Sequence, residues 1–201
     1  MNSPIQSKAT DKQRQILTIA QPIILGKGFS AVGLNEILKT AGVPKGSFYH
    51  YFESKEQFGC ALVDHYFEQY LTNLDRLLSD TKLTATARLL TYFEQWKTTQ
   101  CDDTSQDKCL VVKLSGEVTD LSEGMRLALK KGTQAVIDRL SLCLAEAAKE
   151  NKLNLGNTKT VTEELYYLWI GATLMTKVHN HPQMLEVAMH ALESKLNLHQ
   201  H

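Results

Sequence analysis

The stretch from Gly42 to Phe58, "GVPKGSFYHYFESKEQF", decides the fold. Pro44 has its φ fixed near the helical value, so a short helix is predicted to open there, directly after the turn at Gly42. Phe48 and Phe52 are four residues apart, share one face, and are expected to anchor this helix to a core. The remaining positions are of another kind. Lys45 brings a cation, Gly46 an open backbone, Ser47 a hydroxyl, and Tyr49, His50 and Tyr51 rigid rings with polar tips. A helical hairpin that only fills a core needs none of these. Ser54 with Gln57 then forms a capping box that opens a long helix at Lys55.

Working outward, Leu34 to Ala41 reads as a helix stopped by Gly42, and Ile16, Ile19, Ala20, Ile23 and Ile24 stripe an earlier one that ends near Gly26 and Gly28. Two short helices around a Gly-bearing turn make a helix-turn-helix, whose second helix enters the DNA major groove. Downstream, helical periodicity predicts Lys55 to about Leu78, Thr84 to Gln100, Cys109 to Val118 and Ser122 to Lys149. A capping box at Thr160 and Glu163 is expected to open a helix to Val178, and Pro182 separates it from a last helix over Gln183 to Leu196. The chain is therefore expected to be all-α.

The 201 residues, 43% of them hydrophobic, can fill a substantial core. The formal net charge is zero, yet through Cys60 seven cations face four anions, so a nucleic-acid surface belongs near the N-terminus. No apolar run is long enough for a membrane span and no secretory leader is visible, so a cytoplasmic protein with reduced thiols and no membrane partner is expected. Cys60, Cys101, Cys109 and Cys143 form no C-x-x-C pair, and His179 and His181 flank Asn180 in a helix-ending turn, so neither metal nor cofactor is expected. The phosphate loop, dinucleotide fingerprint, nucleophile elbow and H-E-x-x-H motifs are absent, which argues against an enzyme.

"LNEILKTAGVPKGSFYHYFESKEQF" resembles the DNA-binding domain of TetR-family transcriptional repressors, without a gap over roughly Asp11 to Gly59. The resemblance implies a three-helix DNA-binding domain over residues 1–54 and a helical bundle over 55–201 for effector sensing and dimerisation. It also implies a homodimer on a palindromic double-stranded DNA operator. It assigns Lys45, Gly46, Ser47 and Tyr49 to the groove and its edges, and His50, Tyr51 and Lys55 mainly to the DNA backbone. Gly33 stands where many members have Ser or Thr; it can cap the second helix but brings no hydroxyl to a phosphate. The last two helices are the expected dimer interface, through Trp169, Ala172, Leu185, Ala188, Met189 and Leu192.

"KCLVVKLSGEVTDLSEGMR" from Lys108 and "LYYLWIGATLMTKVHN" from Leu165 resemble the electrophile-responsive members of that family. There a cysteine and a lysine form the redox-sensing pair, and the matching positions are Cys109 and Lys177. A helix N-terminus with nearby lysines favours a thiolate, so Cys109 is expected to be activated toward a small electrophile or oxidant. The alternative effector is a noncovalent apolar or aromatic compound held by Tyr166, Trp169, Ile170 and Leu174.

Overall fold

The computed structural model describes residues 4–101 and 109–198. Among them are nine α-helices and no strand: α1 Pro4–Lys27, α2 Leu34–Thr40, α3 Lys45–Tyr51, α4 Lys55–Leu78, α5 Ala85–Cys101, α6 Leu110–Val118, α7 Glu123–Glu150, α8 Thr158–His179 and α9 Gln183–Lys195. The all-helical expectation holds. Cys101 is the exposed last residue of α5, and residues 102–108 lie outside the described residues.

The helix ends follow local chemistry. Ser54 Oγ accepts the Gln57 N–H at 3.0 Å, while Gln57 Oε1 reaches back to the Glu53 N–H at 2.6 Å, one residue ahead of the cap. Pro44 stands just outside α3 as its cap, with φ −60° and ψ 142°. At Gly42, φ is +62°, a left-handed value that glycine adopts without a Cβ clash and that turns the chain from α2 toward α3.

One capping expectation is corrected. The N-cap of α8 is Asn157, whose side chain accepts from the Lys159 and Thr160 N–H groups, and the helix opens at Thr158. Thr160 is thus already inside the helix. The preceding Gly156 has φ +64°, and that turn brings Asn157 to the helix start.

The described residues fall into two compact units, Met1–Gln69 with Lys113–Gly132, and Tyr70–Val112 with Thr133–His201. This partition follows packing, and the chain crosses it inside α4, α6 and α7. In the first unit Ile16, Ala20 and Ile24 of α1, Ile37 of α2, Phe48 of α3, and Phe58 and Leu62 of α4 are all buried, with Met125 of α7. Phe48, Phe52 and Phe58 form a triad with ring centroids 5.1 to 5.7 Å apart. Each such ring contributes about 1.5–3 kcal/mol by leaving water.

His65 lies buried in this unit, its Nε2 3.1 Å from both Thr18 Oγ1 and Gln69 Nε2. Burial, with Arg14 adding to it and Glu68 opposing, holds its pKa below the ordinary imidazole value. A His kept neutral by the fold stabilises it fully above the unfolded pKa of about 6.5, and that stability is lost as pH falls below it. The urea midpoint of the wild type should therefore drop between pH 7.5 and 5.5 by more than that of His65→Gln; parallel shifts would assign the acid sensitivity elsewhere.

The second unit is built on an aromatic core. Phe93 and Trp96 of α5 meet Trp169 of α8 at centroid distances of 4.8 and 5.7 Å, and the Trp96 indole N–H donates to Thr173 Oγ1 at 3.0 Å. Asn180, left-handed at φ 51°, ends α8, and Pro182 caps α9. Leu185, Ala188 and Leu192 of α9 are fully buried.

The expected interface residues require correction. Trp169, Ala172, Leu185, Ala188, Met189 and Leu192 all lie inside this core. The apolar side chains left in solvent on these two helices are Tyr167, Leu168, Leu174, Met175, Val178 and Val187. Because α8 is apolar on two faces, its periodicity does not say which one turns inward.

Candidate functional site

The helix α3 separates its two kinds of residue by face. Phe48 is fully buried, whereas Lys45, Gly46, Tyr49 and His50 are exposed, Tyr49 by 60%, and Ser47 and Tyr51 are half-buried. The His50 and Tyr51 rings meet edge to face at 5.3 Å, and Gln13 Nε2 of α1 donates to the Tyr51 carbonyl at 3.2 Å. A cation, a hydroxyl and two ring tips are thus presented by a helix held rigidly from behind. A major groove admits such a helix, and base edges and phosphates are read by these groups.

Gly33 caps α2 with φ −80° and ψ 145° and makes no side-chain cap bond. Lys55 opens α4 but does not point its charge along that helix start. Its ammonium instead donates to the Val32 carbonyl at 3.0 Å and lies 5.0 Å above the Phe29 ring. The charge is therefore held beside the start of α2.

Cys109 immediately precedes α6, with its N–H donating to Gln100 Oε1 at 3.3 Å. Its sulfur is buried, and its electrostatic neighbours are Lys177 of α8 and the hydroxyls of Tyr70, Tyr92 and Tyr166. Tyr70 and Tyr92 share a 2.7 Å hydrogen bond, and burial pushes all three phenols upward, so they are neutral donors at physiological pH. The structure thus brings Cys109 and Lys177 into one electrostatic environment.

The thiolate expectation is corrected. Burial raises the Cys109 pKa and outweighs the N–H groups of Val112 and Val111 and the charge of Lys177, which all pull it down. Helix-terminus reasoning found the right helpers but not the desolvation that overcomes them. Reaction of Cys109 with N-ethylmaleimide should accelerate about tenfold per pH unit and still be rising at pH 9. A rate that levels off near neutrality, read by intact-protein mass, would mean a resting thiolate.

The other thiols differ in kind. Cys143 is buried with its sulfur 3.5 Å from the Ala85 carbonyl and is pushed up to about 11, mainly by burial, while Cys60 is half-buried and also raised. Cys101 is the exposed one.

The noncovalent candidates are dispersed. Tyr166 and Trp169 belong to the aromatic core, Ile170 is half-buried, and Leu174 is 47% exposed. A surface groove of about 770 Å³ runs between α5 and α9, lined by Leu90, Glu94, Lys97, Glu186, Met189 and His190 among others, and includes none of those four. Among the described residues, no group of three or more His, Cys, Asp or Glu could hold a metal ion, and no helix is long and apolar enough to cross a membrane.

Sequence reasoning missed Gln100, Tyr70 and Tyr92 at the thiol: Gln100 is nine residues from Cys109 but across the end of α5, and Tyr70 and Tyr92 come from other helices. Polar residues on otherwise apolar faces were the available signal.

Comparison with known proteins covers both halves. The family described as "Bacterial regulatory proteins, tetR family" matches residues 16–58, and "Tetracyclin repressor-like, C-terminal domain" matches residues 85–192. The HTH-type transcriptional repressor NemR of Escherichia coli strain K12 is 40% identical over 180 residues, 89% of this chain and 90% of that protein. The transcriptional regulator AcuR of Cereibacter sphaeroides is 34% identical over 160 residues, 79% of this chain and 73% of that one. The crystal structure of the reduced form of E. coli NemR superposes with a TM-score of 0.84 at 39% identity, covering 92% of this chain and 96% of that chain. With its recognition helix, its helical C-terminal region and these relatives, the chain belongs to the TetR family of bacterial regulatory proteins.

Proposed function

We infer that this protein is a homodimeric repressor which holds a palindromic operator through α3 and lets go when a reactive electrophile or oxidant modifies Cys109. The functional division falls at residue 54, with the reading head before it and the sensing and dimerisation region after. Within the head, Lys45, Gly46, Ser47 and Tyr49 face the groove and its edges, His50, Tyr51 and Lys55 serve mainly the DNA backbone, and Gly33 lies at the DNA-facing edge with no hydroxyl to offer a phosphate. The single observation that carries the sensing role is a buried thiol at a helix start, ringed by the buried phenols of Tyr70, Tyr92 and Tyr166, on which the exposed Lys177 exerts a minor downward pull.

The chemistry is simple. With a maleimide, sulfur adds to the carbon–carbon double bond and the thiol proton ends on the neighbouring carbon. With hypochlorite, the S–H becomes S–OH and chloride leaves; that product is reversible, whereas the thioether is not. Either change puts volume or polarity into a site packed with aromatic rings, and a two-state bundle responds by changing the operator-binding population.

Footprinting of the DNA upstream of the protein's own gene tests the DNA half of this reading. A protected palindrome whose centres are one helical turn, about 34–36 Å, or a multiple apart is expected. Lys45→Ala, which removes one cation from each half of the dimer, should weaken binding and flatten its salt dependence by about two units of slope. Protection of a single half-site by a monomer would reject the arrangement. A noncovalent inducer remains the second reading, supported by the buried Trp169 indole nitrogen, which has no hydrogen-bond partner.

A further inference from the structure

The turn between α1 and α2 is gripped from α6 by two residues of opposite charge. Glu117 Oε2 accepts the Phe29 N–H at 3.1 Å, and Glu117 Oε1 accepts the Ser30 N–H in a short bond. One turn earlier on α6, the Lys113 ammonium donates to the Gly26 carbonyl at 3.4 Å, at the C-terminal end of α1 where a cation complements the helix dipole. Gly28 makes the approach possible: its φ is +96°, and a Cβ there would lie 2.9 Å from Glu117 Oε2. Burial alone would raise the Glu117 pKa, but the Ser30 and Phe29 amides, the Ser30 hydroxyl and Lys113 together hold it below the ordinary carboxylate value. The same turn is fastened a second time by Lys55 on the Val32 carbonyl. It leads directly into Gly33, the cap of the first helix of the DNA-reading pair.

We propose that Glu117 is a positioning residue, a latch through which α6 sets the α1–α2 turn and with it the reading head. α6 is one continuous helix of nine residues; Cys109 precedes its first residue and Glu117 is its eighth. A displacement of α6 at its cysteine end is carried along a rigid hydrogen-bonded rod to the carboxylate, and the charge-assisted bonds transmit it to the turn. The regulatory use of this latch rests on the thiol-sensing reading given above. The latch itself rests only on contacts within the first compact unit.

The experiment measures operator affinity of the full-length wild type, Glu117→Ala and Glu117→Gln by fluorescence anisotropy, untreated and after N-ethylmaleimide, with Cys109 modification checked by peptide mass. Untreated Glu117→Ala should bind about tenfold more weakly, the loss expected for charge-assisted hydrogen bonds to backbone amides. Glu117→Gln keeps one acceptor oxygen and should fall in between; it also stands in should the alanine variant fail to fold. Treatment should shift the Glu117→Ala affinity by less than about threefold with Cys109 fully modified, where the wild type loses tenfold or more. A residue that only supports the fold would weaken treated and untreated protein alike, so an unchanged ratio overturns the latch. If fully modified wild type keeps its affinity, the sensing reading fails separately, and wild-type affinity of both untreated variants then overturns the latch as well.

Discussion

Leu174→Glu or Val178→Glu leaves the protein monomeric by light scattering at micromolar concentration and lowers operator affinity by about two orders of magnitude. Tyr167, Gly171, Leu174 and Val178 recur on α8 at spacings of four, three and four, all exposed, with Leu168, Met175 and Val187 beside them. A contiguous apolar face of this kind is out of place on a solitary soluble chain. In a two-fold dimer every residue of the patch occurs twice, so one substitution sets two carboxylates into an apolar contact. Each unpaired buried charge costs several kcal/mol, enough to exceed the surplus of an ordinary interface. Ala172→Glu or Leu185→Glu would act differently, by unfolding the second unit, since both positions are inside it. A dimer that survives Val178→Glu with undiminished DNA binding would place the interface on another surface.

The second large effect concerns the reading helix. Phe48→Ala removes a fully buried ring packed on Phe52 and Phe58, and should cost about 3–5 kcal/mol, comparable to the stability of a small domain. The first unit then loses protection of its amides to hydrogen exchange, and operator binding goes with it. Tyr49→Ala, on the exposed side of the same helix, should leave stability within about 0.5 kcal/mol and still weaken operator binding. The pair separates holding from reading. Equal losses of stability in the two variants would mean that α3 is a core element on both faces.

Much of the head was legible in the sequence because its signals are local. Ser54 and Gln57, Gly42, and the Phe48 and Phe52 pair each act within one helical turn, and each lies where the pattern requires, whereas Pro44 stands one position outside the helix it was expected to open. The α8 cap was misplaced by three residues because Asn157 and Thr160 are both good capping types, and the backbone at Gly156 makes the choice. The inward face of α8 was not legible, since two apolar stripes give the same periodicity. The state of Cys109 was misjudged for a related reason: helix start and lysine can be read from the chain, but burial of the thiol depends on tertiary packing. Nothing local in the sequence singles out Glu117. Its partners Phe29 and Ser30 lie 88 and 87 positions away, beyond any motif.

Exposure and function also diverge among the thiols. Cys101 is exposed and should be modified first, without consequence for DNA binding, while Cys109 reacts more slowly from a buried position. The release of DNA should therefore track the modification of Cys109 and lag behind that of Cys101.

The most direct measurement is operator anisotropy at fixed salt, followed over time after N-ethylmaleimide in excess over the thiols, for the wild type and Cys109→Ser, with peptide mass assigning the modified thiols at each time. The wild type should leave the DNA in step with Cys109 modification, and Cys109→Ser should stay bound although Cys101 is alkylated. Release of both proteins alike, or retention of a wild type fully modified at Cys109, would contradict it.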